Sequence, residues 1–240
     1  MEQEIYTTLR GLKMPGMAEC LRAMNETRQL DKLTAREALP LLIQAEVTSR
    51  NSNRVNTLIK QANFRLNANM EDLEIDPARG LTPEAILQVG SCEYIKSGVP
   101  IIIGGAAGTG KTYLSNAMGN KACRMGYKVG YYTTNRLMDM LRIARIEGRD
   151  HRLLSKLDRF DLIILDDFGM KCFDNQQQND FQQIIDDRYG RRAVIISSQL
   201  PVSEWYSLFK NELIADACLD RLVHKSIRFQ LKGESLRKKY

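Results

Sequence analysis

Residues 105 to 112 read Gly-Ala-Ala-Gly-Thr-Gly-Lys-Thr, which satisfies the pattern G-x-x-x-x-G-K-[ST] at every position. Before them, Val99-Pro100-Ile101-Ile102-Ile103-Gly104 is a short apolar, β-branched run suited to a buried parallel strand. After them, Thr112 to Ala122 suits a helix. A strand, a glycine loop and a helix in that order confine the chain to a parallel α/β architecture and mark a phosphate-binding loop rather than a flexible glycine turn. Gly105, Gly108 and Gly110 permit a tight backbone path, so the loop Gly105, Ala106, Ala107, Gly108, Thr109, Gly110 can aim its amides at one anion. Lys111 is placed to reach the β- and γ-phosphates of ATP, and Thr112 to give its hydroxyl to Mg²⁺.

The 240 residues allow one large domain and a small appendage, with 43% hydrophobic and 27% charged residues as in a globular protein. No apolar stretch is long enough to span a bilayer, and the first residues carry acids where a signal peptide carries bases, so a cytoplasmic protein is expected. Five scattered cysteines without a C-x-x-C pair read as reduced thiols, and His151 and His224 are too far apart to suggest a metal site. The net charge of +6 resides in residues 221–240, which hold seven Lys/Arg against one Asp/Glu. That favours a polyanionic partner, although charge runs are usually solvated surface.

Residues 1 to 66 read as a small all-helical domain. Leu9, Leu12, Met17, Leu21 and Met24 recur at helical spacing, and Ala38, Leu41, Leu42, Ala45 and Val47 follow in a second segment. Pro15-Gly16 marks a break between the two, and Asn51-Ser52-Asn53 is expected to interrupt or end the second helix. Residues 67–80 look like an extended linker, which leaves 81–240 as the larger domain. There the pattern alternates strand and helix, with strands at Ile101–Gly104, Lys128–Thr133, Leu162–Asp166, Ala193–Ser198 and Ile227–Gln230. This predicts a five-stranded parallel sheet sandwiched by helices. A further helix is expected after Asp174, burying Phe181, Ile184 and Ile185.

Leu162-Ile163-Ile164-Leu165-Asp166-Asp167 is an apolar strand ending in two acids, at the edge where parallel sheets bind ligands. Asp166 suits the Mg²⁺ hydration shell, and Asp167 suits polarisation of an attacking water. Ser197-Ser198-Gln199 ends the next strand, where Ser198 or Gln199 could orient that water or sense the γ-phosphate; strand-end hydroxyls also simply cap turns. Arg221 and Arg237 follow the fourth strand; each suits developing phosphoryl charge, although on the residues alone an arginine there more often makes a surface ion pair.

From about residue 79 onward the chain resembles the AAA+ P-loop ATPases of the IstB/DnaC group, and within it the IstB transposition helpers of two-gene insertion sequences. The matching stretches are Gly105–Thr112, Asp161–Gly169, Asp187–Arg192, Ser197–Pro201, Asp220–Val223 and Gly233–Lys238, and Met1–Leu12 and Leu58–Phe64 extend the likeness over the whole chain. The resemblance implies that Lys111 and Thr112 bind phosphates and Mg²⁺, and that Asp166 and Asp167 form the Walker B pair. It places Ser198 or Gln199 at sensor 1, Arg221 as a finger toward a neighbouring subunit's ATP, and Arg237 at sensor 2 on the nucleotide of its own subunit. It therefore implies a homo-oligomer on double-stranded DNA, working with a transposase. The chain departs from many relatives in two ways. Ala106-Ala107 replace a Pro-Pro pair and lose its pre-set φ angles. Asp167 stands where many ATPases carry the longer Glu, which implies slow basal turnover.

Arg142, Arg145, Arg149, Arg152, Lys156 and Arg159 recur at spacings of three and four, one basic stripe if the helix is continuous. Gly148 and Asp150 suggest two helices instead. In replication-initiator relatives the helices after the second strand face DNA, so the resemblance makes Arg142, Arg145, Arg149, Arg152 and Lys156 candidate DNA contacts. Alternatively the stripe is a solvated face paired with Glu147, Asp150 and Asp158. No base-reading motif is visible, and five phosphate contacts per subunit would give a salt slope of about −4.5. Arg50, Arg54, Lys60 and Arg65 are a weaker second set, for DNA or for subunit contacts. Two other readings use the same nucleotide site: a DnaC-like helicase loader, and a nucleotide-gated DNA scaffold with little hydrolysis.

Overall fold

The computed structural model describes residues 2–236. The chain divides into two compact units, Met1–Thr57 and Leu58–Tyr240. α1 spans Glu2–Gly11 and α2 Pro15–Glu26 in the smaller unit, and α3 (Ala35–Ala62) begins there and ends in residues of the larger unit. Pro15 opens α2, as its missing N–H and fixed φ favour at a first helical position, so the break precedes Met17 instead of following Met24. Gly16 lies so close to α3 that a Cβ would stand 2.7 Å from the Ala45 carbonyl oxygen. The buried Glu46 accepts the Met17 amide at 3.0 Å and pairs with Arg50 at 2.7 Å, so a side chain of α3 caps α2.

α3 does not break at Asn51-Ser52-Asn53. All three side chains are exposed, so their cost is only the intrinsic propensity, below about 0.7 kcal/mol each, which a continuous hydrogen-bond ladder outweighs. Leu58 and Ala62, at the end of α3, belong to the core of the larger unit. Nor are residues 67–80 a free linker, since Ala68 is buried and Met70 and Leu73 pack against the same core. The boundary expected at residue 66 therefore falls earlier, because these few apolar residues in a polar stretch find a buried surface.

The larger unit continues with α4 (Pro83–Gly90), α5 (Glu93–Lys96), β1 (Ile101–Gly105), α6 (Lys111–Arg124), β2 (Val129–Thr133), α7 (Thr134–Ile146), α8 (Asp150–Asp158), β3 (Leu162–Phe168), α9 (Asn175–Arg188), β4 (Ala193–Ser198), α10 (Glu212–Val223) and β5 (Ile227–Leu231). The strands form one parallel sheet in the order β2-β3-β4-β1-β5. Each coincides with a predicted strand to within two residues. The three central strands are apolar runs because both their faces are covered. Ile101, Ile103, Ile164 and Ile195 meet Leu114 and Met118 of α6 on one face. Ile102, Ile163, Leu165 and Ile196 meet Leu137, Leu141, Phe181 and Leu222 of α7, α9 and α10 on the other. α9 begins after Asp174 as predicted, with a capping box in which Asp174 accepts the Gln176 and Gln177 amides.

Insertion of β4 between β1 and β3 is the topological fact that builds the site. The register pairs Ile103 with Ser197 and Leu165 with Ile196, so the ends of β1, β4 and β3 emerge at one edge. Among the described residues no helix is long and apolar enough to cross a membrane.

Arg188, at the end of α9, is 2% exposed and donates to the carbonyls of Leu157, Asp161 and Ala193. Burial brings its guanidinium down to about 10. Arg188→Ala removes the donor to three carbonyls in one step and should destabilise the protein by roughly 3 kcal/mol, read as a lower urea midpoint.

Candidate nucleotide site

The loop after β1 has the predicted shape. Gly105, Gly108 and Gly110 all lie at positive φ, at 155°, 81° and 101°. At Gly108 a second constraint operates: a Cβ there would stand 2.1 Å from the Ser235 hydroxyl, and the Leu236 amide donates to the Gly108 carbonyl at 2.9 Å. The segment after β5 therefore lies directly on the loop. Lys111 is buried at the start of α6, and its ammonium donates to the carbonyls of Gly105 and Ala106, each at 2.8 Å.

Asp166 is fully buried and accepts four hydrogen bonds. Its Oδ2 takes the Thr112 hydroxyl at 2.9 Å and the Tyr131 phenol at 2.7 Å. Its Oδ1 takes the Asp167 amide at 3.0 Å and the Ser197 hydroxyl. α6, β2 and β4 thus converge on one carboxylate. Burial, and next the bond to Asp166, push the Tyr131 phenol well up, so it stays a neutral donor. Thr112 Oγ1 and Asp166 Oδ2 are adjacent hard oxygen donors, the chemistry that Mg²⁺ prefers.

Between Leu165 and Phe168 the pairing of β3 with β4 slips, so Asp166 and Asp167 together span the interval that β4 fills with Ser197 alone. The bulge sends the two acids in different directions. Asp166 turns inward, whereas Asp167 adopts φ 54° and is partly exposed. Asp167 pairs with Arg65 at 3.3 Å. Arg65, which the sequence groups with Arg50, Arg54 and Lys60, is brought instead by the turn after α3 to the acid at the end of β3. The Arg65 and Leu66 amides both donate to the buried Asn116 of α6, at 3.1 and 3.4 Å, which fixes this turn.

A cavity of about 590 Å³ joins these parts. Residues 107–114, Asp167 and Gln199 line one part of it, and Leu66, Leu73, Leu81, Leu231 and Leu236 give it an apolar wall suited to an adenine ring. That wall was missed in the sequence; its one signal was isolated leucines in a polar stretch. Of the two sensor candidates, Gln199 lines the cavity, whereas Ser198 donates to the Phe168 carbonyl at 2.7 Å and holds β4 to β3. Tyr131 and Ser197, also missed, are visible only once the strands are in register.

Arg221 lies in the last turn of α10, pairs with Asp186 at 3.2 Å and is not part of the cavity wall of its own chain. Arg237 lies outside the described residues. The basic stripe is split: α7 ends at Ile146, Gly148 takes φ 65°, and α8 starts at Asp150. Arg145 points inward, donating to the buried Asp180 of α9 through both terminal nitrogens, so it is removed from the candidate DNA contacts. Arg142, Arg149, Arg152 and Lys156 are exposed, with Arg142 and Arg149 beside Asp139 and Glu147.

The sheet order and this constellation define a P-loop nucleotide-binding protein of the AAA+ type. The fold agrees with solved structures: a DnaC helicase loader aligns with a TM-score of 0.56 at 19% identity, over 69% of this chain and 97% of that one. DnaA bound to AMPPCP and single-stranded DNA aligns with a TM-score of 0.59 at 21% identity, over 72% of this chain and 52% of that one. Residues 7–240 match the family of IstB-like ATP binding proteins, and the chain belongs to that family. It is 37% identical to the insertion sequence ATP-binding protein y4pL of Sinorhizobium fredii, over 96% of this chain and 94% of that protein.

The left-handed backbone at Asp167 gives a structural test. Asparagine tolerates that conformation and valine does not. Asp167→Asn should leave the urea midpoint nearly unchanged, whereas Asp167→Val should lower stability by about 1–2 kcal/mol.

Proposed function

We propose that the chain is a Mg²⁺-dependent ATP hydrolase that assembles as an ATP-bound homo-oligomer on duplex DNA in the cytoplasm. In that state it assists the transposase of its insertion sequence in target selection and strand transfer. The observation that supports the ATPase reading is the hydrogen bond from Thr112 Oγ1 to Asp166 Oδ2, which sets side by side two oxygens that a Mg²⁺ would take. The link to transposition rests on family membership and on the insertion-sequence relatives.

The chemistry follows from the residues in hand. Loop amides and Lys111 bind the β- and γ-phosphates, Lys111 exchanging its carbonyl acceptors for phosphate oxygens. Thr112 and Asp166 would hold Mg²⁺, which neutralises phosphate charge when bound. The four donors around Asp166 keep its carboxylate in one orientation. Asp167, at the cavity wall, takes the proton of the attacking water, and Gln199 orients that water. Arg221 acts across the subunit boundary, its position outside its own cavity being what such a role requires. Arg237 is assigned to the nucleotide of its own subunit by motif alone.

A helicase loader remains the second reading, favoured by the likeness to the DnaC fold, and a nucleotide-gated scaffold the third, favoured by the engagement of Asp167 with Arg65. ATP hydrolysis without DNA, with duplex and with single strands, with Lys111→Ala as the blank, separates the three. Duplex-specific stimulation supports the transposition helper. Stimulation mainly by single strands supports the loader, and tight ATP binding without turnover supports the scaffold. With Arg142, Arg149, Arg152 and Lys156 as the phosphate contacts, duplex binding should weaken with salt at a slope of about −3.6 per subunit. A flat dependence would remove those four residues from the interface.

A further inference from the structure

Arg65 borders two cavities at once. One is the nucleotide cavity, where it faces Asp167. The other, also about 590 Å³, lies between the end of α3 and the β2–α7–α8 region. This second cavity is lined by Arg65, Arg136, Lys156, Tyr131, Tyr132 and Phe160 among others, and no carboxylate is among its described lining residues. Tyr132 and Phe160 meet edge to face at 6.4 Å. Three cations in one cavity wall with no lining carboxylate select an anion, and the phosphodiester of a DNA backbone fits them. Tyr131 lines this cavity and bonds Asp166, which gives it a second route to the Walker B acids.

The backbone at Arg65 is pinned by Asn116, so the mobile part is the side chain alone. That side chain is 51% exposed, and its ion-pair partner Asp167 is 34% exposed. An ion pair this open is weak and readily exchanged, whereas an arginine–phosphate contact can be bidentate. While Arg65 holds Asp167, that carboxylate is engaged by the guanidinium instead of facing a water.

We propose that Arg65 is a clamp on Asp167, and that a DNA phosphate entering the cavity between α3 and α7 draws it away and frees Asp167 for hydrolysis. The proposal rests on the ATPase reading above and supplies the coupling between DNA and turnover. It makes Arg65 a positioning residue, acting on the reaction through Asp167.

The test is steady-state ATP hydrolysis by the full chain with and without duplex DNA, for wild type, Arg65→Ala, Arg65→Lys and the double variant Arg136→Ala/Lys156→Ala. Melting temperatures and fluorescent ATP-analogue binding with stoichiometry accompany the rates. Arg65→Ala should raise kcat without DNA by about fivefold, the scale of an exposed ion pair, with an unchanged KM for ATP and little further response to DNA. Arg65→Lys, which keeps the charge, should retain the low basal rate. The double variant should lose most of the DNA stimulation. A lower kcat in Arg65→Ala overturns the clamp, as does an unchanged rate with full stimulation, or full stimulation in the double variant. Two nucleotides bound per chain would assign the second cavity to a free nucleotide and overturn its assignment to DNA. Absence of turnover in wild type under all conditions, despite ATP binding, sinks the ATPase reading and the clamp with it. Turnover in wild type with Arg65→Ala indistinguishable from it sinks the clamp alone.

Discussion

The buried carboxylate of Asp166 is the interaction on which the larger unit's functional edge depends. A carboxylate taken fully out of water is costly unless hydrogen bonds replace its hydration. Here Thr112, Tyr131, Ser197 and the Asp167 amide replace it, drawn from α6, β2, β4 and the β3 bulge. Satisfying one charge therefore fixes four pieces of the fold relative to each other. The first residues of α6, the tip of β4 and the second acid of β3 are positioned by the same requirement, which explains how a site built from distant segments keeps its geometry.

The sheet was legible almost to the residue, because strands covered on both faces must be apolar along their whole length and polar punctuation then marks their ends. The loop and the paired acids were legible for a related reason: each needs particular residue types at fixed local spacing. What escaped was set by tertiary context. Nothing local in Asn63-Phe64-Arg65 announces that Arg65 will meet a residue 102 positions away. The apolar wall of the cavity is assembled from leucines that are individually unremarkable, at residues 66, 73, 81, 231 and 236. The stretch 67–80 read as a linker because its composition is polar, yet a few anchors suffice to dock it.

Arg145 shows the converse limit. Helical spacing placed it on a basic face, and the spacing was correct within α7. The partner that claims it, Asp180, lies on α9 and is almost fully buried, and a carboxylate held away from water needs a cation beside it. Periodicity identifies residues that share a face; whether that face meets water or another helix depends on an acid elsewhere in the chain. The break expected at Gly148 and Asp150 is present: Gly148 takes a left-handed conformation after α7, leaving Arg142 on α7 and Arg152 and Lys156 on α8.

The bulge in β3 bears on the choice of the second acid. A left-handed residue at position 167 favours short side chains that bond locally, a preference that Asp meets and longer, branched chains do not. The aspartate in place of the glutamate carried by many ATPases then follows from the backbone as much as from the chemistry. Lengthening the acid and relaxing the bulge would have to occur together, since either change alone moves the carboxylate from its place at the cavity wall.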